Sequence, residues 1–280
     1  MKISVRKYPL LILVLILFII SNGKTAGQQN KLNSFQVLWD NDFLNIRGDG
    51  TDRYYTNGIR LDLFYLKKQK TKFPSSLLLN ISNDNNNIFS WGLAQSMFTP
   101  RNISYPDIQY NDRPYSGALF GIHSLQSTHS GKRTRVNTEI RFGVIGPLSF
   151  AKETQTWVHN AFNYTKPLGW HNQVPTDIIL NYNINIEKQL LYPSRNLLVT
   201  GIIETYNGTV YNAAGAGFML KLGKFQNYLE EYFIPIKKRD IPFQLYLFMK
   251  PAIRVVLSNA LLQGGLLNQI WAQNTGYTLN

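Results

Sequence analysis

The chain has 280 residues, no cysteine, and a formal net charge of +13 from 29 Lys and Arg against 16 Asp and Glu. Without thiols, a disulfide scaffold and a thiolate metal centre are both excluded. The basic residues are scattered and form no dense arm of the kind that grips nucleic acid, so an anionic lipid or surface is the expected partner and nucleic acid is not.

The first residues have the form of a secretory signal. Lys2, Arg6 and Lys7 precede the apolar run from Leu10 to Ile20, which is too short to span a bilayer and the right length for the apolar core of a signal peptide. Small residues follow, which places cleavage near Gly27, with Gly23 as the alternative and an uncleaved N-terminal anchor helix as the competing reading. This gives a signal peptide over 1–27 and one domain over 28–280. Loss of Lys2, Arg6, Lys7 and Lys24 leaves 13 − 4 = +9 on the mature chain. Every later apolar run is interrupted by Lys, Arg, Asp or Asn, so none is a candidate transmembrane helix.

From there the sequence alternates with period two. Phe35, Val37 and Trp39 alternate with Gln36, Leu38 and Asp40, and Ile59, Leu61, Leu63 and Tyr65 with Arg60, Asp62, Phe64 and Leu66. Val136, Ile140, Phe142 and Val144 oppose Asn137, Glu139 and Arg141. The clearest case sets Ile178, Leu180, Tyr182, Ile184 and Ile186 against Asn181, Asn183, Asn185 and Glu187. Each pattern is a strand with one apolar face. Strands are expected near 35–42, 56–66, 87–98, 115–126, 134–145, 177–189, 196–206, 211–222, 242–257 and 261–272. A soluble sandwich and a membrane barrel share this alternation. Strand length and the aromatic residues near strand ends favour an all-β transmembrane antiparallel β-barrel, with the apolar face toward lipid and the polar face inward. The last residues, Tyr277-Thr-Leu-Asn280, lack the terminal aromatic strand usual in such barrels, so closing strands are expected to be missing.

If the mature N-terminus starts in the periplasm, the connections 43–55, 99–114, 146–176 and 207–210 share the external rim, and the candidate chemistry lies there. A short helix is expected around Gln155-Thr-Trp-Val-His159, where the i, i+4 spacing puts Gln155 and His159 on one face. The same spacing also describes an ordinary solvated face. His123 falls inside a strand, His129 in a turn and His171 in an exit loop, so His159 is the histidine over the rim, able as a neutral imidazole to take a proton from water. Asn41-Asp42, Asp52 and Thr56 offer oxygen donors, which suit Ca²⁺ better than Zn²⁺; the same Asn and Asp residues also form turns. No Gly-x-Ser-x-Gly elbow supports a serine hydrolase.

Taken in order, Asn41-Asp42, Tyr55-Thr56-Asn-Gly58, Phe98-Thr99-Pro100, Asp112-Arg-Pro-Tyr-Ser-Gly117, Gly143-Val-Ile-Gly-Pro147, Gln155-x-x-x-His159, Gly169-Trp170-x-x-Gln173 and Leu261-Leu-Gln-Gly-Gly265 resemble the lipid A 3′-O-deacylases of Gram-negative outer membranes, the LpxR family. The resemblance spans nearly all the mature chain. It implies a twelve-stranded outer-membrane barrel, of which ten strands are visible, acting as a monomer on lipid A with Ca²⁺. Its site would lie between the outer barrel wall and a loop helix. Carried over by position, His159 is the general base, Gln155 its neighbour, Asn41 the oxyanion-side residue, and Asp42 and Thr56 the metal-side residues. Arg101, Lys152 and Lys166 would hold the substrate by charge, with Arg47, Arg53 and Arg113 as further rim cations. Two departures stand out. The basic residue of the second external loop has only Arg101 as a counterpart, and the acid expected one turn past the histidine falls near Thr165, whose side chain is no replacement. The competing readings are a small porin or adhesin and an outer-membrane phospholipase.

Overall fold

The computed structural model describes residues 32–41, 54–66, 72–82, 87–194, 196–225, 229, 243–269, 271 and 275–276. The expected signal peptide lies outside the described residues. Ten strands form one antiparallel sheet: β1 (Leu32–Asn41), β2 (Tyr54–Leu66), β3 (Asn87–Thr99), β4 (Ser116–His129), β5 (Thr134–Ile145), β6 (Asp177–Ser194), β7 (Leu197–Gly208), β8 (Tyr211–Lys224), β9 (Leu245–Met249) and β10 (Ala252–Asn259). Each strand from β1 to β8 pairs with its sequence neighbour, and β9 and β10 lie one after the other along β8. Among the described residues the α-helices with full bounds are α1 (Ala151–Phe162), between β5 and β6, and the single turn α2 (Ala260–Gln263), after β10. Among the described residues no helix is long and apolar enough to cross a membrane.

Two expectations change here. The ninth strand, expected as continuous over 242–257, breaks at Lys250-Pro251 because proline has no N–H for the ladder; the Pro251 carbonyl still accepts from Phe218 N at 3.1 Å and keeps the two halves in line. The strand expected over 261–272 is not a strand. Asn259 caps the turn, its Oδ1 accepting from Leu261 N at 3.1 Å, and the chain folds back over the rim. Leu261 and Trp271 then bury against Ala118, Ile145, Val174, Ile179 and Val210. Asp177 Oδ2 fixes the fold-back by accepting from Leu267 N at 2.7 Å.

The register sorts the side chains as the alternation requires. Arg60, Ala94, Phe120 and Gly143 form one row across β2 to β5. On that same face Arg60 pairs with Asp62, Glu139 bridges Arg60 and Arg141, and Arg254 pairs with Glu204. Arg60 Nη1 reaches Glu139 Oε2 at 3.1 Å although β3 and β4 intervene. In a flat sheet the three inter-strand steps alone would separate these strands by about 14 Å. Glu139 also sits four residues along β5 from Gly143, the position in Arg60's row. The contact therefore requires the sheet to roll tightly toward this polar face. The opposite face carries Phe35, Val37, Trp39, Phe142, Ile178, Leu180, Ile203, Phe218, Ile253, Val255 and Leu257, all exposed. A face this apolar around the whole sheet is the outer wall of a membrane barrel.

At the end of the sheet away from α1, residues 72–82 lie against this outer wall. Leu78 packs on Phe89 and Leu125 with Tyr65 and Ile140 alongside, and Ser75 Oγ meets His123 Nε2 at 2.8 Å. His123 Nδ1 faces the Ser90 carbonyl at 2.9 Å, so Nδ1 carries the proton and Nε2 accepts from the serine. A histidine on a lipid-facing strand is thereby buried with both nitrogens satisfied.

Candidate functional site

The site is built by a sharp exit from β5. Gly146, at φ +78°, turns the chain outward; its N–H donates to Gly117 O at 2.8 Å, and an added Cβ would strike the Pro175 carbonyl group. Ser149 ties the turn by donating from Oγ to Gly146 O at 2.6 Å, and its own carbonyl accepts from Gln95 Nε2 at 2.7 Å. Gln95, Met97 and Thr99 alternate onto the outer face of β3. The start of α1 thus sits against the outside of the wall, over β3 and β4. Gly117 permits the approach: a Cβ there would lie 2.2 Å from Ser149 Oγ and 2.4 Å from Ala151 Cβ. Met97, Ile103, Tyr115, Ala151 and Trp170 fill the space between helix, wall and the 100–115 loop. The two loops are sewn together by Leu168 N to Ile103 O, Val174 N to Tyr115 O and Tyr115 Oη to Ile103 O, at 2.8 to 3.0 Å.

On the inner face of α1, Gln155 and His159 are 2 % and 6 % exposed. The expected i, i+4 pairing is therefore present, and it faces the wall rather than solvent. Gln155 Oε1 accepts from the buried Trp170 indole at 2.7 Å, which orients the amide with its NH₂ as the donor end. Past Phe162 the chain reverses at Asn163, left-handed at φ +55°, as asparagine tolerates. Tyr164 N then returns to His159 O at 2.8 Å, and the Thr165 carbonyl comes to 2.5 Å from His159 Nδ1. A carbonyl only accepts, so Nδ1 holds the proton and the lone pair is on Nε2. The threonine side chain could not have stood in for an acid; its main-chain oxygen takes the orienting role instead. Sequence reading missed this because a carbonyl is present at every position, and only the αL turn at Asn163 selects this one.

Thr56 occupies a bulge in β2, where the register slips between Tyr55 and Asn57. Its hydroxyl is buried and lies 2.7 Å from Thr99 Oγ1, extending the Gln95–Met97–Thr99 row on which α1 sits. Thr99 is the second residue missed as a site component, although it stands in the Phe98-Thr-Pro segment. Asn41 is the last residue of β1, opposite Asn57 in the register. Asp42, Arg47, Asp52 and Arg53 lie outside the described residues. Among the described residues no group of three or more His, Cys, Asp or Glu forms a metal cluster. Thr56 and Thr99 are hard oxygen donors of the kind Ca²⁺ takes, so the described part of the expected metal side is chemically compatible with it.

The three cations expected to meet the substrate, Arg101, Lys152 and Lys166, are exposed. Lys152 is in the first turn of α1, Lys166 follows the carbonyl that holds His159, and Arg101 donates its main-chain N–H to Asp112 Oδ2 at 2.7 Å. Arg113 differs from them. Its guanidinium lies 4.3 Å from the Phe98 ring centroid, and burial lowers its pKa to about 10 against the opposing pull of Asp112. It is a stacked, half-buried cation of the rim rather than a solvated one.

The arrangement is an imidazole with a fixed tautomer beside an amide donor, on a helix clamped to the lipid side of a rolled sheet, with oxygen donors continuing along the same row. An imidazole so held can accept a proton at Nε2 from a group that reaches it along the outer wall. In the solved structure of LpxR from Salmonella typhimurium the fold is similar, with a TM-score of 0.59 and 19 % identity over 78 % of this chain and 72 % of that one. No curated protein sequence matches. The model of the family described as outer membrane protein LpxR matches residues 10–275. The chain therefore belongs to the LpxR family of outer membrane proteins.

Proposed function

We propose that this protein is an outer-membrane ester hydrolase that removes the 3′-linked acyloxyacyl group of lipid A. The observation that carries the reading is the His159 imidazole, held by the Thr165 carbonyl at Nδ1 on a helix against the outer wall. Nε2 takes a proton from the attacking water, and the Nδ1–H bond to the carbonyl keeps the ring aimed while the imidazolium exists. Gln155, fixed by Trp170, offers its NH₂ beside the base and positions the water or the ester. Asn41 is assigned to the developing oxyanion, a donor role typically worth about 3–4 kcal/mol of barrier. Asp42 and Thr56 would hold Ca²⁺, which when bound supplies Lewis-acid polarisation of the ester carbonyl. Arg101, Lys152 and Lys166 meet the phosphates of the substrate with charge.

Mass spectrometry of lipid A from cells with and without the protein tests the activity. Loss of the mass of the 3′-linked acyloxyacyl group is expected, and unchanged lipid A would overturn the proposal. Chelation tests the metal separately. Turnover should stop in excess chelator and return when Ca²⁺ is restored, whereas full turnover in chelator would remove Asp42 and Thr56 from the metal role.

A further inference from the structure

Gln155 and His159 account for the wall-facing side of α1. The other side carries a feature that catalysis does not use. Trp157, opposite Gln155 and His159 on the helix, is 46 % exposed; Phe162, at the helix end on their own stripe, is 63 % exposed, and Leu148, Phe150, Tyr164 and Leu168 in the flanking turns are also exposed. Phe162 and Tyr164 stack with ring centroids 5.8 Å apart, and Tyr164 meets the His159 ring edge-on at 5.7 Å. Six large apolar or aromatic side chains within 21 consecutive residues, 148 to 168, are exposed. Lys152 and Lys166 sit exposed among them.

We infer that this face of α1 and its flanking turns is a membrane-seating surface that dips into the boundary between headgroups and acyl chains of the surrounding leaflet. The occupant is lipid rather than a second protein for two reasons on the molecule itself. The surface is continuous with a wall that is already lipid-facing: α1 lies on the outside of β3 and β4, the same outer face that carries the exposed Trp91 of β3 and Phe142 of β5 further along the strands. Its composition also matches an interface, with Trp and Tyr, whose rings have one apolar and one polar end, and Lys side chains that reach back toward anionic headgroups. A helix so seated carries His159 at the depth where ester bonds lie. The inference rests on the proposed deacylase reading for its purpose, and its first test does not need activity.

Trp157 is the reporter. The protein is refolded into phosphatidylcholine vesicles whose acyl chains are brominated either near the glycerol or near the terminal methyl, and its fluorescence is compared with that of Trp157→Phe to isolate this indole. Quenching of the Trp157 signal is expected, stronger from the shallow bromines. An unquenched Trp157 would overturn the inference while leaving the deacylase reading intact. A second arm uses Trp157→Lys, checked for folding by heat-modifiability. Its turnover of lipid A in vesicles, relative to the same lipid in detergent micelles, should fall by roughly tenfold, the scale of one aromatic side chain withdrawn from an apolar phase. An unchanged ratio would contradict membrane seating. Quenching in a protein that leaves lipid A untouched would keep the seating and remove the proposed activity.

Discussion

The tautomer of His159 is decided by a single main-chain oxygen, and the orientation of Gln155 by a single indole. These are the residues at which small changes have large effects. Gln155→Ala leaves the buried Trp170 N–H without its acceptor, which costs about 1–3 kcal/mol, so both the thermal midpoint and turnover should drop. Gln155→Glu keeps an acceptor for Trp170 and should recover most of the stability without the activity, because it replaces the donor end; equal recovery of both would mean that Gln155 serves only packing. Stability read from urea unfolding and turnover from acyl release would separate the two. Much of this was legible in the sequence. The i, i+4 spacing placed both side chains on one face, and its place on the helix over the rim singled out His159 among the histidines. The Thr165 carbonyl was not legible, since its selection depends on the left-handed Asn163 and not on any side chain.

Among the elements, α1 and the strap over 72–82 both pack on the outside of the sheet, at opposite ends. Their sequences gave different amounts of warning. The turn at Gly146-Pro147 and the helix after it follow from local signals, whereas the strap has no period and reads as a plain loop. The docking of α1 depends on the missing side chain of Gly117. Gly117→Val should wedge the helix off the wall, since even its Cβ would fall well inside contact distance of Ser149 and Ala151. Activity should be lost while the heat-modifiable barrel persists; a fully active variant would show that α1 does not need this seat. The fold-back after β10 was mistaken for a strand because Leu261, Leu262, Leu266 and Leu267 look like strand residues. What decides it is the Asn259 cap and the apolar space at the rim, which Leu261 and Trp271 fill against Ala118, Ile145 and Ile179.

At the scale of the molecule, the alternation fixes which face meets lipid, and the polar face turns inward, where ion pairs cross between strands. Glu139 joins Arg60 and Arg141 across the rolled interior, and the segment after β10 packs over the rim above them. A barrel so filled should pass no steady ionic current in planar bilayers, which argues against the porin reading; a stable open channel would revive it. Glu139→Ala takes the carboxylate from Arg141 and one of Arg60's two partners, and because both cations are part-exposed it should cost on the order of 1 kcal/mol of stability, measured by urea unfolding in vesicles. The central claim is that His159 acts as the base on an ester offered from the membrane. Purified His159→Ala, folded by heat-modifiability, should release acyl chains from lipid A some 10²–10⁴-fold more slowly, the range of general-base catalysis. His171→Ala, exposed in the exit loop, should stay close to the parent. Release by His159→Ala at the parental rate would contradict the account.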